Sequence, residues 1–436
     1  MPKLLIYGLL VLITFYLPIR FMFSEGIMFL PDSIVLFLVL GYFFKRLYGK
    51  KKKGINYLDL FFFIFLFYSI SLLGLSLLKG GGIIFLKHFH NFIPGIIMYI
   101  IIREFLEDSD SSMLLQIYII VSTIVAIVYI FEWVNMNMLN KNALSWVSNY
   151  QKDFGVGDQF LNKGHLGFIR PMGLIGYSHA TGIFIGGGII ILFSRVMNYN
   201  KKKINYLFLG ISIIAVILTA SRTAIIGVLF SILLVVWNSK VNVFNFFKNN
   251  IIAVTLSLAF VGIIITQYLG ELPEYAQLKM FLYLSLGDSE YGASIFESFL
   301  TTISYEFLQL SKIIEDFPLA LFTGAGYPVY FSNNTLNPII TNETYFLMWI
   351  TQYGVFGCVI VATWIFLLRK RIFNNLKNPL LSLHNRYVLL SIYGVMFLFL
   401  FSTIHSASIQ FYPIYFWLFT LMGMVGNKNW IPKIKN

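Results

Sequence analysis

Stretches of about twenty apolar residues, such as 57–78 and 251–269, recur along almost the whole of this chain, and each approaches the ~20 residues a helix needs to cross ~30 Å of hydrocarbon. A backbone inside lipid must satisfy its own hydrogen bonds, so only helices and closed barrels cross a bilayer. Ten-residue strands that alternate polar and apolar are absent from the sequence, which argues against a barrel. Composition agrees. With 58% hydrophobic and 12% charged residues and a mean hydropathy of +0.77, the 436 residues carry too little polar surface for the two or three soluble domains that this length would otherwise allow. The expected fold is therefore an all-α integral membrane protein, a single polytopic domain over residues 1–436.

The formal charge of +13 would point to nucleic acid in a soluble protein. Here the basic residues cluster in every second gap between apolar runs, at 45–53, 195–203, 369–386 and 428–435, which is the positive-inside pattern and not a nucleic-acid patch. With those gaps placed in the cytoplasm, about 12 spans are expected near 4–23, 27–44, 57–78, 83–102, 113–133, 172–193, 204–220, 222–237, 251–269, 342–368, 387–404 and 409–426, with both termini inside. The first run continues into Pro18, Ile19 and Arg20 without a small-residue cleavage site, so it reads as a retained span. Cys358, the only cysteine, lies in an apolar run, which excludes an internal disulfide and a cysteine-based zinc site. Two long gaps fall on the outer side, 135–170 and 270–341, and both exceed ordinary helix connections. Within the second, Phe296, Phe299, Ile303, Phe307, Leu310 and Ile314 recur at helical spacing with polar residues between them. That pattern predicts an amphipathic helix, lying on the bilayer, roofing a cavity or packed under its own loop. No pair of matching broken spans marks two equivalent halves, which argues against common transporter architectures.

Two arginines depart from the inside pattern. Arg222 stands in Leu218-Thr219-Ala220-Ser221-Arg222-Thr223-Ala224, where two spans join with almost no loop, and Arg170 stands in Phe168-Ile169-Arg170-Pro171-Met172-Gly173 at the end of the first outer loop. Each alone reads equally as a snorkelling residue or a structural ion pair. Together they suit a pyrophosphate, because each guanidinium fork donates two charge-assisted hydrogen bonds. Tyr177 and His179 follow, the histidine expected a few turns into the span, as contacts for a sugar or phosphate or as packing residues. The fourth span carries Lys87, His88 and His90. Lys87 is a candidate anion contact, while the two histidines fall on different helix faces and make no metal site. Glu343 opens the tenth span and His405 lies between the last two. Either caps a helix or serves as general base toward an acceptor hydroxyl, Glu343 being the first choice. Gly324 and Gly326 form an isolated G-x-G, weak as a phosphate signal because no strand precedes it.

Three segments in order, Arg170-Pro171-Met172-Gly173 running into Tyr177-Ser178-His179-Ala180, then Leu218-Thr219-Ala220-Ser221-Arg222-Thr223-Ala224, then Gly324-Ala325-Gly326 with Asn342-Glu343-Thr344-Tyr345 and Tyr353-Gly354-Val355-Phe356-Gly357, resemble the O-antigen polymerase (Wzy) and O-antigen ligase superfamily with its related capsule polymerases. The resemblance covers roughly residues 165–360 by motif and the whole chain by topology. It implies a GT-C-like glycosyltransferase of the bacterial inner membrane, independent of metal and cofactor. Such an enzyme passes a glycan from an undecaprenyl-pyrophosphate carrier to an acceptor glycan at the periplasmic face, in company with membrane lipids and a chain-length regulator (Wzz-like). Arg170 and Arg222 match the family's pyrophosphate-holding arginines, and Lys87, Tyr177, His179 and Tyr345 are added as substrate contacts. The ligase branch usually carries His-Asn where this chain has Asn342-Glu343, which favours a polymerase. A ligase acting on lipid A core and a lipid-linked sugar flippase are the alternatives.

Overall fold

The computed structural model describes residues 2–23, 30–48, 54–78, 82–107, 110–137, 170–198, 202–239, parts of 304–324, 329–332, 335–338, 345–404 and 412–426. Its helices are α1 (Pro2–Thr14), α2 (Tyr16–Phe23), α3 (Leu30–Tyr48), α4 (Tyr57–Leu78), α5 (Gly82–Phe105), α6 (Asp110–Asn137), α7 (Ser178–Asn198), α8 (Lys203–Leu218), α9 (Arg222–Asn238), the short α10 (Ala320–Thr323), α11 (Tyr345–Lys377), α12 (Leu383–Phe401) and α13 (Tyr412–Gly426). Among the described residues one small antiparallel hairpin, β1 (Val329–Ser332) with β2 (Thr335–Pro338), is the exception to an all-helical architecture. The expected span at 251–269 and most of the amphipathic segment 296–315 lie outside the described residues. Those of 304–315 that are described are helical.

Among the described residues four helices are long and apolar enough to cross a membrane: 57–74 of α4, α6, α7 and α12. Their outer faces carry apolar side chains that water would not tolerate in such rows. On α6, Ile120, Ile124, Ile127 and Phe131 follow one another at helical spacing and each is at least 40% exposed. Ser122, Val125, Tyr129 and Glu132 occupy the opposite, buried face. This is a multi-helix membrane protein, built around α7. That helix is the most enclosed of the four and packs against α6, α8, α9 and α12. Its glycines permit the crowding: a Cβ on Gly186 would come 2.6 Å from a methyl of Val228 on α9.

The charged ends of the helices are tied together at one end of the bundle. Lys3 pairs with Asp110 at 2.8 Å, joining the starts of α1 and α6. Lys45 and Arg46 at the end of α3 each reach Glu104 at the end of α5 at 3.2 Å. Arg103 meets Asp59 at the start of α4 at 2.9 Å, with both side chains fully enclosed. Arg195 near the end of α7 donates to Gln116 of α6, and Arg386 on α12 donates to the Leu376 carbonyl of α11 at 2.9 Å. The starts of α1, α4, α6 and α12 therefore lie at the same end of the bundle as the ends of α3, α5, α7 and α11, with these basic residues gathered there and the 170–179 and 219–222 segments at the other end.

Helix α11 is broken at Gly354, whose φ of 62° and ψ of −179° belong to glycine alone. The end of α10 docks into this break, and Tyr68 of α4 lies within hydrogen-bonding distance of the Thr323 carbonyl at 2.6 Å and the Tyr353 carbonyl at 2.8 Å. Gly324 abuts the backbone of Gln352 there, so the first glycine of the G-x-G has a close-packing reason to be glycine.

Candidate functional site

At the end opposite the basic cluster, α6 ends, α7 begins, and α8 turns into α9. Residues 170–177 enter this corner before α7 starts at Ser178. Thr181 on the first turn of α7 donates to the Met172 carbonyl at 3.0 Å. Gly173 (φ 67°) then turns the chain so closely that a Cβ would sit 2.9 Å from both Thr181 Oγ1 and the Tyr129 ring. The glycine of Arg-Pro-Met-Gly thus places Arg170 beside the start of α7. His179 is the second residue of that helix, not a few turns into it as the unbroken apolar pattern from 172 suggested. The run Met172 to Gly176 is buried and apolar but turns back on itself, with the Gly176 amide donating to the Gly173 carbonyl at 3.2 Å.

The α8–α9 junction is equally tight. Ala220 adopts a left-handed conformation with φ 48°. Ser221 then serves as the N-cap of α9, its hydroxyl accepting from the Ala224 amide at 3.3 Å. Two chains of hydrogen bonds lock this junction to α7. In the first, Ser178 donates to the Thr219 carbonyl at 3.1 Å, so the Tyr129 hydroxyl, 2.9 Å away, donates to Ser178. In the second, Arg170 Nη1 lies 3.2 Å from His179 Nε2, and His179 Nδ1 lies 2.9 Å from Ser221 Oγ. A guanidinium only donates, so Nε2 is the acceptor, and the neutral imidazole carries its proton on Nδ1 and donates it to Ser221. The Tyr177 ring lies 5.2 Å from that of His179, tilted by 45°.

These contacts put the cation Arg170 beside two adjacent helix N-termini, those of α7 and α9, and neither first turn holds an acidic residue. The partial positive charge of each terminus adds to the guanidinium, which makes the corner attractive to an anion. Arg222 is the first residue of α9, directly after Ser221. Among the described residues no three His, Cys, Asp or Glu side chains gather as a metal ligand set.

Of the residues singled out in the sequence, the fold brings together Arg170, Tyr177, His179 and the helix start that bears Arg222. Lys87 lies on α5 and Tyr345 opens α11. The side chains of Lys87, Arg222 and Tyr345, and all of Glu343 and His405, lie outside what is described. The sequence reading passed over Ser221, which joins the two arginine-bearing segments, and Glu132. Glu132 is 1% exposed on the inner face of α6, one turn from Tyr129. The backbone amide of Gly173 points toward its carboxyl, yet among the described residues neither oxygen has a hydrogen bond of acceptable geometry. The signal was present as the only acidic residue in the apolar run 113–133. No protein-family model and no curated protein matches this sequence.

Proposed function

We propose that this chain is a membrane-embedded glycosyltransferase that polymerises lipid-pyrophosphate-linked oligosaccharide repeat units at the periplasmic face of the bacterial inner membrane, into O-antigen or a related surface polysaccharide. The observation that carries this reading is the hydrogen-bonded chain Arg170–His179–Ser221. It joins the two arginine-bearing segments at the end of the bundle away from the basic cluster. With that cluster in the cytoplasm, the corner faces outward, the two long segments 135–170 and 270–341 are periplasmic, and about 12 crossings leave both termini inside.

Breaking a glycosyl pyrophosphate requires stabilising the charge that accumulates on the leaving phosphoryl oxygens. Fixed cations and helix N-termini do this without reorganisation. In this reading Arg170 and Arg222 hold the pyrophosphate with help from Lys87, and Tyr177, His179 and Tyr345 contact phosphate or glycan. Glu343, or failing it His405, takes the proton of the acceptor hydroxyl as that oxygen attacks the anomeric carbon. A single displacement of this kind inverts the anomeric centre.

The test is a gel of surface polysaccharide from cells lacking the protein, rescued with wild type or with Arg222→Ala. The expected result is a single-repeat band that becomes a ladder only with wild type. Core bearing no repeat unit at all would assign the chain instead to the ligase or a flippase. A ladder unchanged by loss of the protein would remove it from this pathway.

A further inference from the structure

We propose that Glu132 is a proton-binding residue of this corner, and that its occupancy is linked to the anion held by Arg170, His179 and the start of α9. The second half of this statement rests on the anion-site reading above, and the first does not. Glu132 is enclosed, and although the backbone amide of Gly173 points toward its carboxyl, among the described residues neither oxygen has a hydrogen bond of acceptable geometry. An ionised carboxylate in such a place forfeits its hydration with only the Gly173 amide in return, a cost of several kcal/mol that a neutral acid avoids.

The charged and titratable groups around Glu132 can be followed element by element among the described residues. On α6 itself Tyr129 lies one turn away, within electrostatic range of both Glu132 and Arg170. The entering segment brings Arg170 and Tyr177, and the first turn of α7 brings His179. The outer half of α8, Ile213 to Leu218, carries no ionisable side chain. On α1, Lys3 and Tyr7 are engaged with Asp110 at the far end of α6. On α12, His384, Arg386 and Tyr387 lie in its first two turns, also at the far end, and mid-helix Tyr393 packs on Phe373. Among the described residues the cation of this corner is Arg170, and Tyr129 lies between it and Glu132, within electrostatic range of both. An ionised Glu132 would compete with the anion for Arg170 and repel it, whereas a protonated one would not. By reciprocity, anion binding favours the protonated form and low pH favours anion binding. Affinity is lost as pH rises through the titration of Glu132, by at most about tenfold per pH unit for a single linked proton.

The experiment uses the full chain in lipid nanodiscs, as wild type and as Glu132→Gln, with inorganic pyrophosphate as the probe. The expected infrared difference spectrum holds a carboxylic-acid carbonyl band that Glu132→Gln lacks, that fades as pH is raised and that saturating pyrophosphate restores. Calorimetry in two buffers of different ionisation enthalpy is expected to show greater proton uptake per pyrophosphate in wild type than in the variant. This comparison cancels the titration of pyrophosphate itself. Absence of the band at every pH at which the protein is folded would overturn the proton site. So would a Glu132→Gln chain that fails to fold, because glutamine is close to isosteric with the neutral acid. Equal pyrophosphate binding and equal proton uptake by the two proteins at every pH would overturn the linkage alone. No binding to either would overturn the anion-site reading together with the linkage, while the band would still establish the proton site.

Discussion

The guanidinium of Arg170 hydrogen-bonds the imidazole of His179, Nη1 to Nε2 at 3.2 Å, across nine residues that include a complete turn of the chain. His179 in turn holds Ser221 at the cap of α9, so one neutral imidazole aligns a cation with a helix N-terminus.

We predict that His179→Phe, which keeps a flat ring but removes both bonds, weakens pyrophosphate binding about tenfold, since a lost hydrogen bond of this kind is worth ~1–2 kcal/mol. Calorimetry on the purified protein reads this directly. Affinity unchanged from wild type would mean that the alignment through His179 has no part in anion binding.

Arg170→Lys keeps the charge and loses the planar fork. The expected outcome is binding reduced about tenfold and a polysaccharide ladder that is faint but present, against no ladder for Arg170→Ala. Equal ladders from both variants would show that the fork geometry is irrelevant.

Ser221 is both cap and link. Ser221→Ala is expected to cost ~1 kcal/mol of stability through the lost cap and to weaken pyrophosphate binding as well. Ser221→Thr should recover most of both, because its hydroxyl can occupy the same position. Thermal unfolding in detergent, followed alongside binding, checks the pair, and a threonine variant no better than alanine would count against the role of the hydroxyl.

Ala220 sits at φ 48° and is fully buried. Glycine relieves the left-handed strain, so Ala220→Gly should leave the unfolding temperature unchanged or raise it by an amount corresponding to ~0.5–1 kcal/mol. Ala220→Val adds a β-branched side chain to both the strain and the crowding and should lower it clearly. A valine variant as stable as wild type would contradict the conformation at this turn.

Arg103 and Asp59 form an enclosed ion pair between α5 and α4. Arg103→Met removes the guanidinium paired with the enclosed Asp59 and is expected to destabilise by ~3–5 kcal/mol, whereas Arg103→Met combined with Asp59→Leu should recover much of the loss. Urea or thermal unfolding of the three proteins forms the cycle, and additive losses would show that the two side chains act independently.

Much of the helical framework was legible beforehand, because a span is announced by its own composition. The runs at 57–78, 204–220 and 222–237 meet helices that begin and end within two residues of them. Where the reading went astray, the cause was local. Residues 172–177 are as apolar as a helix, but Gly173 and Gly176 with positive φ turn them back, and apolarity alone does not distinguish a buried turn from a buried helix. Gly324 looked like half of a weak phosphate motif, yet its neighbour is Gly354, thirty residues on in sequence and in van der Waals contact in space.

By itself, the sequence determined that this chain places apolar helices in a membrane and gathers its basic residues in alternate gaps, because hydrophobic length and loop charge act locally along the chain. Tertiary structure alone decided which polar residues share a corner. It brought Arg170 to His179 and His179 to Ser221, and it sealed Glu132 on the inner face of α6 without a described hydrogen-bond partner. Those relationships depend on how α6, α7, α8 and α9 pack, and packing is set by the summed shapes of side chains far apart in the sequence.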